Sequence, residues 1–341
     1  MDELAHSPRW TLASCVSTVL SLAIVLSGCS GSTPSPEPPA QQEKPASTLA
    51  ATLQLNWVAD PQFGGFFAAQ ELGYFEELGL SITVAQGGPS IPAPQLVASG
   101  KVDFAIVSSP QVLEIATSGG DLVALYAVFQ ESPRAIMVHQ SAPWKSLEEL
   151  WKSDATIALE EGLTEYAWLD SAYGGQALKR VPYAGSYAQF VADPKMANQC
   201  FVTSEPVALQ LQSVPLRVFL TNSAGFNPYD TVVVTRREFF ETHRDACARL
   251  VKACAKGWQA YLEDPEEVNA TMHALNSSMS MEAFQGGANA QRTLIETAET
   301  KKLGLGAMTQ ARWQALVDQL FQMKRLPSKP AVSNVFHWSA G

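Results

Sequence analysis

The chain contains 341 residues, of which 46% are hydrophobic and 16% are charged, and its formal net charge at pH 7 is -10. The apolar content is ordinary for a globular protein, and the length exceeds what one hydrophobic core normally holds, so we expect two lobes. The acidic balance argues against nucleic acid or an anionic lipid surface as the ligand.

The N-terminal segment predicts export. Arg9 precedes an uncharged stretch at 10–26 that is rich in Leu, Val, Ala and Ser, and Ser27-Gly28-Cys29 follows it. A short opening, an apolar segment and a small-residue processing site are typical of a secretory signal. An uncleaved membrane helix is the alternative, although about seventeen residues are barely enough to cross a bilayer.

Cys29 is the predicted lipid attachment point. Residues 26–29 resemble a bacterial lipobox, and several acyl chains on one residue give a stable membrane anchor. The next segment is rich in Pro, Ser, Gln and Glu, which is typical of a semi-stiff tether. We therefore expect a signal peptide at 1–28, a lipidated Cys and tether at 29–50, and a body on the periplasmic or extracellular face of the cell membrane.

From residue 52, strand and helix patterns alternate, which favours parallel sheets covered by helices. After the last predicted strand the chain is almost wholly helical. The predicted strands are 53–57, 81–85, 103–107, 122–129, 155–159, 200–203, 216–220 and 231–235. The predicted helices are 60–73, 93–99, 110–117, 238–262, 265–275, 281–299 and 309–323, and Asp60 is the expected N-cap of the first.

This order predicts an α/β protein with two lobes joined by two crossovers, near 138–142 and 228–233. The strand at 231–235 returns to the first lobe, and the helical segment that follows packs on it. The expected domains are a discontinuous lobe 1 at 51–140 and 231–330, a lobe 2 at 141–230, and a tail at 331–341.

Polar and aromatic residues follow several predicted strands, where open parallel sheets bind their ligands. Facing each other, the two lobes would line a cleft with an aromatic plate, neutral donors and carboxylates. This lining suits an aromatic heterocycle with ring N–H or amino donors. The candidate residues are Asn56, Trp57, Gly88, Pro89, Ser108 and Ser109 in lobe 1, and Glu160 and Glu205 in lobe 2.

Each candidate also has a purely structural interpretation. Trp57 is equally compatible with a place in the core, and Ser108 and Ser109 with simple helix caps. Glu205, which precedes Pro206, would also complement a helix N-terminus. The functional interpretation therefore depends on the convergence of these residues on one cleft.

The Cys and His residues do not predict a metal site or a disulfide framework. After the signal and Cys29, three cysteines remain, and their odd number and wide spacing favour buried thiols. The chain shows no nucleophile–base pair and no phosphate loop, so we expect no catalytic residues and no cofactor. The three cysteines are Cys200, Cys247 and Cys254.

The body resembles the NMT1/THI5-like proteins over about 52–325. The resemblance lies in Leu55-Asn56-Trp57, the segments 60–69 and 97–104, and Gly87-Gly88-Pro89. It implies a type II periplasmic-binding-protein fold, with two lobes, a hinge and a central ligand cleft. It also implies a monomer that delivers a small molecule to the permease and ATPase of an ABC importer, as in binding proteins for thiamine-precursor pyrimidines.

The resemblance extends to individual site residues. Asn56 and Trp57 match the pyrimidine-contacting start of the family, and Glu205 matches the carboxylate of the second-lobe motif. Phe63 stands where pyrimidine-binding members usually have His, so a different or larger ring system is an alternative. Riboflavin and sulfonate- or nitrate-type solutes, which relatives bind, are therefore alternative ligands.

Two other classes of function compete with transport. Eukaryotic members of the family synthesise the thiamine pyrimidine with iron and a cluster of cysteines, whereas here Cys200 stands alone. A ligand sensor that signals to a membrane receptor would use the same cleft.

Overall fold

In a computed structural model, the structure describes residues 48–183 and 185–338. The expected signal peptide, Cys29 and the tether up to residue 47 lie outside the described residues. Within the described part of the chain, no helix combines the length and the apolar character that crossing a membrane requires.

The described strands form two five-stranded sheets. Most predicted strands are present within a few residues of their expected bounds, and two strands, at 134–139 and 179–182, were not predicted. The strands are β1 Leu49–Gln54, β2 Leu80–Ala85, β3 Phe104–Val107, β4 Leu122–Phe129, β5 Arg134–His139, β6 Thr156–Leu159, β7 Lys179–Pro182, β8 Met196–Phe201, β9 Leu216–Leu220 and β10 Asp230–Arg236.

The first sheet has the strand order β2-β1-β3-β10-β4. β1 runs parallel to β2 and β3, but β10 runs antiparallel to β3 and β4. The expected parallel arrangement is therefore found for β1, β2, β3 and β4, and the returning strand β10 runs antiparallel between β3 and β4. Asp230, the first residue of β10, pairs with Phe129, the last residue of β4. The chain therefore re-enters the sheet at the end where β4 leaves it, so β10 runs in the direction opposite to β4.

The second sheet has the order β7-β6-β8-β5-β9 and is also mixed. β6 pairs with β7 and β8 in parallel, whereas β5 pairs with β8 and β9 in antiparallel fashion. The pairing of β5 corrects the first expected crossover. Residues 134–139 already belong to the second sheet, so the chain crosses at 130–133 and not near 138–142.

The return crossing, at 221–229, contacts the first. The Ser132 N–H donates a hydrogen bond of 2.8 Å to Oδ1 of Asn227. The Arg312 guanidinium donates to the Gln130 carbonyl at 2.7 Å and to the Asn227 carbonyl at 3.0 Å. The two segments that join the sheets are therefore tied to each other and to the C-terminal helices.

Helices cover both sheets. The predicted helix at 238–262 is interrupted at His243, and the one at 281–299 is interrupted where Thr297 caps a new helix. The helices are α1 Gly64–Glu71, α2 Tyr74–Glu77, α3 Ala93–Ala98, α4 Ser109–Thr117, α5 Leu147–Trp151, α6 Thr164–Tyr173, α7 Ala188–Ala192, α8 Glu205–Leu211, α9 Arg237–Thr242, α10 Arg244–Glu263, α11 Glu266–Leu275, α12 Met281–Ile295, α13 Ala298–Leu303 and α14 Gln310–Gln322.

The C-terminal helices pack against elements of the first sheet, and glycines bring α10 into backbone contact with α1. A Cβ atom on Gly257 would lie 2.1 Å from the Gly65 carbonyl oxygen, and one on Gly65 would lie 2.2 Å from the ring of Trp258. Trp258 is fully buried in the core beneath the first sheet. This close packing fixes α1 directly behind the turn that carries the first part of the candidate site.

Candidate functional site

A cleft lies where the strand ends of the two sheets face each other. It holds two adjacent cavities, which we call the inner chamber, of about 190 Å³, and the outer chamber, of about 550 Å³. The two chambers share the side chains of Trp57, Asp60, Pro89, Tyr183, Ser204 and Glu205. The inner chamber is further lined by Asn56, Gln62, Gly88, Ile91, Pro94, Gln111, Arg134, Glu160, Leu163, Tyr166, Gln199, Cys200 and Phe201.

The loop after β1 contributes Asn56 and Trp57, which are both half-buried. The Gly87 N–H donates to the Trp57 carbonyl at 2.9 Å, and a Cβ atom on Gly87 would lie 2.3 Å from the Leu55 carbonyl oxygen. The glycine therefore allows the loops after β1 and β2 to touch. Asn56 Oδ1 is buried without a hydrogen-bond partner among the described residues, so it is an acceptor that a ligand donor can use.

Glu205 begins α8 and presents its carboxylate to both chambers. Oε1 accepts a hydrogen bond of 2.7 Å from the Tyr183 hydroxyl, and Oε2 accepts one of 2.8 Å from the Phe201 N–H. Burial raises the pKa of Glu205 above its usual value, and these two hydrogen bonds oppose the rise. Each carboxylate oxygen retains acceptor capacity for a ligand.

Asp60 provides a second acid group, on the side of the first sheet. It caps the 3-10 turn 61–63 by accepting from the Gln62 N–H at 3.3 Å, as the sequence predicts, and its residue is 3% exposed. Burial raises its pKa from 3.8 to about 7; the hydrogen bond from Gln62 opposes the rise, and the charge of Glu205 adds to it. Two acid groups on opposite sides of the cleft therefore compete for ionisation.

Arg134 is the cationic side chain among the described residues that line the chambers. Its Nε atom lies 2.8 Å from Asp230 Oδ2 and 3.4 Å from Glu165 Oε1, and both acids are buried. The positive charge is thus matched by two carboxyl groups of the protein itself. Arg134 begins β5 and Asp230 begins β10, so this pair also joins the two crossing segments.

The structure brings most of the predicted site residues together. Asn56, Trp57, Gly88 and Pro89 line the cleft from the first sheet, and Glu160 and Glu205 line it from the second. A Cβ atom on Gly185, in the loop after β7, would lie 3.9 Å from the Trp57 ring, so this ring faces the second sheet across the cleft. Trp57 therefore lies at the cleft, where it is half-buried and also packs against the core of the first sheet.

Three predicted residues do not line the cleft. Phe63 is fully buried in the core, because the turn after Asp60 directs it inward. The Ser108 N–H donates to Oε1 of Gln111 at 2.9 Å in a helix cap, and the buried Ser109 hydroxyl donates to the Tyr229 carbonyl at 2.8 Å. These serines hold the start of α4, and Gln111 is the residue of that helix which reaches the inner chamber.

Sequence reasoning missed several residues of the site. Asp60 was considered only as a helix cap, and Arg134 and Tyr183 belong to or follow strands that were not predicted. Cys200 also reaches the inner chamber, but it is buried, and burial raises the pKa of its thiol. All three cysteines of the body are buried free thiols, which confirms the interpretation made from their spacing.

A family model described as NMT1/THI5 like matches residues 60–268. The chain belongs to the NMT1/THI5-like family. Among named relatives, a "Putative thiamine biosynthesis protein" of Haemophilus influenzae is 28% identical over 241 residues, which are 66% of this chain and 76% of that protein. The riboflavin-binding protein RibY of Chloroflexus aurantiacus is 23% identical over 293 residues, which are 81% of this chain and 80% of that protein.

Solved structures show the same architecture. The periplasmic aliphatic sulphonate binding protein SsuA of Escherichia coli superposes with a TM-score of 0.65 over 84% of this chain and 92% of its own, at 14% sequence identity. An identity this low shows the fold alone. The predicted type II periplasmic-binding-protein fold is thereby confirmed.

Proposed function

We propose that this chain is the substrate-binding protein of an ABC importer and that its cleft captures a small heterocycle with N–H donors, such as a thiamine-precursor pyrimidine. The observation that carries the proposal is the pairing of two acceptors with an aromatic ring in one cavity. Glu205 and Asn56 both line the inner chamber beside Trp57, and Asn56 Oδ1 has no hydrogen-bond partner among the described residues. An aminopyrimidine offers donors to both acceptors and a ring face to the indole.

The charges of the cleft favour this ligand over a sulfonate or nitrate. The described lining carries the acid side chains of Asp60, Glu160 and Glu205. Its cation, Arg134, is already matched by Asp230 and Glu165. An anion would have to enter beside these acids without an unmatched positive charge, which a partly desolvated site makes costly. The fold shared with a sulphonate-binding protein therefore does not extend to its ligand.

Riboflavin is the second candidate. The outer chamber gives the cleft more room than a single pyrimidine ring requires, and a relative is named for riboflavin binding. Phe63, the residue that suggested this alternative, lies in the core and does not decide between the two ligands. Both candidates use the same acceptors and the same aromatic face.

The two sheets form the two lobes in this proposal, and the crossing segments at 130–133 and 221–229 form the hinge. A ligand that contacts both lobes favours the closed state, which is the form presented to the permease and its ATPase. The protein is exported, anchored through Cys29 and monomeric. A pyrimidine-synthesising enzyme is less well supported, because the high pKa of the buried Cys200 thiol makes it a weak nucleophile and metal ligand.

The experiment is a thermal-shift screen of the body from residue 48, followed by calorimetric titration of each hit. The panel contains formylaminopyrimidine, hydroxymethylpyrimidine, thiamine, riboflavin, taurine, an alkanesulfonate and nitrate. A ligand present at 100 times its Kd adds about 2.7 kcal/mol of stability, which is a shift of several degrees. We expect the pyrimidines to stabilise the protein and the anions to leave it unchanged.

Glu205→Gln tests the site, and Glu161→Gln is the matched control, because Glu161 is exposed and lies outside both chambers. The first substitution should weaken pyrimidine binding at least tenfold, and the second should change it less than twofold. A shift by taurine or nitrate without one by any pyrimidine would contradict the proposal. So would an unchanged Kd in Glu205→Gln.

A further inference from the structure

A polar contact joins the two lobes beside the inner chamber. Glu114, on α4, accepts at Oε1 a hydrogen bond of 2.7 Å from Arg325 Nε and one of 3.1 Å from the Thr164 hydroxyl. Arg325 Nη2 also donates to the Gly162 carbonyl at 3.1 Å. Glu114 and Arg325 belong to the first lobe, whereas Gly162 and Thr164 belong to the second. We call these four residues the latch.

Both first-lobe residues of the latch stand on backbone that is fixed to the core. Arg325 follows α14, and its N–H donates to the Leu320 carbonyl at 2.9 Å. The next residue, Leu326, is buried in the same apolar cluster as Leu113, the neighbour of Glu114 on α4. The guanidinium and the carboxylate therefore reach toward the second lobe from defined positions.

The second-lobe residues of the latch belong to the segment that forms a wall of the inner chamber. The loop 160–163 connects β6 to α6, and its Leu163 lines the chamber. Thr164, the first residue of α6, is buried. On the side of the first lobe, Gln111 lines the chamber about one helical turn before Glu114. The latch thus connects the two walls, although its four residues line neither chamber.

The lobes also touch where α12 meets α8. A Cβ atom on Gly287 would lie 2.3 Å from the Thr203 carbonyl oxygen, and one on Gly286 would lie 2.5 Å from Val207 Cγ1. This contact is made by glycine backbone and an apolar side chain. The latch differs from it, because a separation of the lobes has to break the directional, charge-assisted hydrogen bonds of the latch.

We propose that Glu114 and Arg325 are positioning residues for ligand binding, whose hydrogen bonds to Thr164 and Gly162 stabilise the closed cleft and slow the release of the ligand. This inference rests on the proposed function, since it assumes that a ligand is enclosed between the lobes. It goes further in assigning part of the affinity to residues that do not touch the ligand. Because the open cleft lacks these bonds, they shift the equilibrium between the two states toward the closed one.

The test measures the separation of the lobes directly, without and with hydroxymethylpyrimidine. Spin labels are attached to Lys152→Cys in the second lobe and Lys252→Cys in the first, which are exposed positions, and their distance is measured by pulsed electron paramagnetic resonance in the body from residue 48. Arg325→Gln should raise the ratio of open to closed protein roughly three- to tenfold, which is the effect of a partly exposed charge-assisted hydrogen bond. The dissociation rate of hydroxymethylpyrimidine, followed by tryptophan fluorescence in stopped flow, should rise by a similar factor.

Arg237→Gln is the matched control. Arg237 also donates to a carboxylate and to a backbone carbonyl, which belong to Asp121 and Asn334, and none of these three residues lies in the second lobe. This variant should keep the ratio of open to closed protein and the dissociation rate of the wild type. An arginine with a merely structural role would lower the free energy of unfolding without changing either quantity.

An Arg325→Gln protein with the open-to-closed ratio of the wild type would overturn the latch, whether or not a ligand binds. A dissociation rate that changes less than twofold would overturn it as well. If the ratio rises as expected but no pyrimidine binds, the stabilisation of the closed cleft stands and the proposed function fails.

Discussion

Replacing Asp60 with Asn removes an acid group that the fold holds in an unfavourable environment. In the unfolded chain the carboxyl loses its proton near its ordinary pKa of 3.8, whereas burial in the folded protein raises the pKa to about 7. The folded state therefore binds the proton more tightly. Through Asp60, the free energy of unfolding of the wild type falls as the pH rises from about 4 to 7, and it stays at this lower value at higher pH.

The magnitude follows from the size of the shift. A rise from 3.8 to about 7 corresponds to roughly 4 kcal/mol, since each pKa unit is worth about 1.36 kcal/mol. Asn keeps the cap on the turn 61–63, because it is as good an N-cap as Asp. Asp60→Asn should therefore leave the free energy of unfolding almost unchanged at pH 4 and raise it by up to ~4 kcal/mol at pH 8.

The assay is urea unfolding of the ligand-free body from residue 48, wild type and variant, at pH 4, 6 and 8. Glu165 titrates in both proteins, so its effect cancels in the difference, whereas the repulsion between Glu205 and Asp60 is lost in the variant and is part of the measured effect. Asp154→Asn is the control, because Asp154 is exposed and should show no difference that grows with pH. A difference between Asp60→Asn and the wild type that is independent of pH, or a variant that becomes less stable than the wild type as the pH rises, would refute the reasoning.

Three further predictions concern single positions. Trp57→Ala should weaken pyrimidine binding about tenfold or more in calorimetry, because stacking on one aromatic ring contributes ~1–3 kcal/mol. Gly87→Ala should lower the free energy of unfolding more than Gly73→Ala does, because the new Cβ atom at position 87 would lie 2.3 Å from a backbone oxygen. At position 73 the space is open, and the alanine costs only the ~1–2 kcal/mol that an L-residue loses in the left-handed backbone conformation. Equal losses in the two variants would contradict this. The buried thiols of the body should not react with a thiol reagent at pH 8 until the protein is unfolded, and labelling of the native protein would contradict their burial.

The strands that the sequence predicted well carry a clear apolar run or a regular alternation of apolar and polar residues. β4 was predicted with its observed bounds, because its eight residues form a continuous apolar run. β7 was missed because its four residues are largely exposed and have no apolar alternation. β5 was missed because its short apolar run, between Arg134 and His139, lies at the end of the expected lobe 1 and runs into the crossover expected near 138–142. A local pattern does not show which sheet a strand joins.

The part of the candidate site that lies at or just beyond the ends of predicted strands could be predicted from the sequence. Trp57, Glu160 and Glu205 stand at or just beyond such ends, and the rule for open sheets places them at the cleft. Phe63 was included among the site residues because of its place in the family motif, and a motif carries no information on whether a side chain is buried. The pairing of Arg134 with Asp230 joins residues 96 positions apart. Such long-range partners depend on the path of the chain between the sheets, which no local pattern encodes.

The buried ionisable groups of this cleft are of two kinds, one with partners of opposite charge and one that is hydrogen-bonded by neutral groups alone. Arg134, which ties the crossing segments together, is matched by Asp230 and Glu165. Asp60 and Glu205 lie on opposite sides of the chambers, and their hydrogen bonds come from neutral N–H and hydroxyl groups, so burial raises the pKa of both. A fold selected for stability alone would replace or pair such acids, because a buried charge without a counter-charge is costly. In the proposed function, the N–H donors of the ligand complete the hydrogen bonding of these acids and offset this cost.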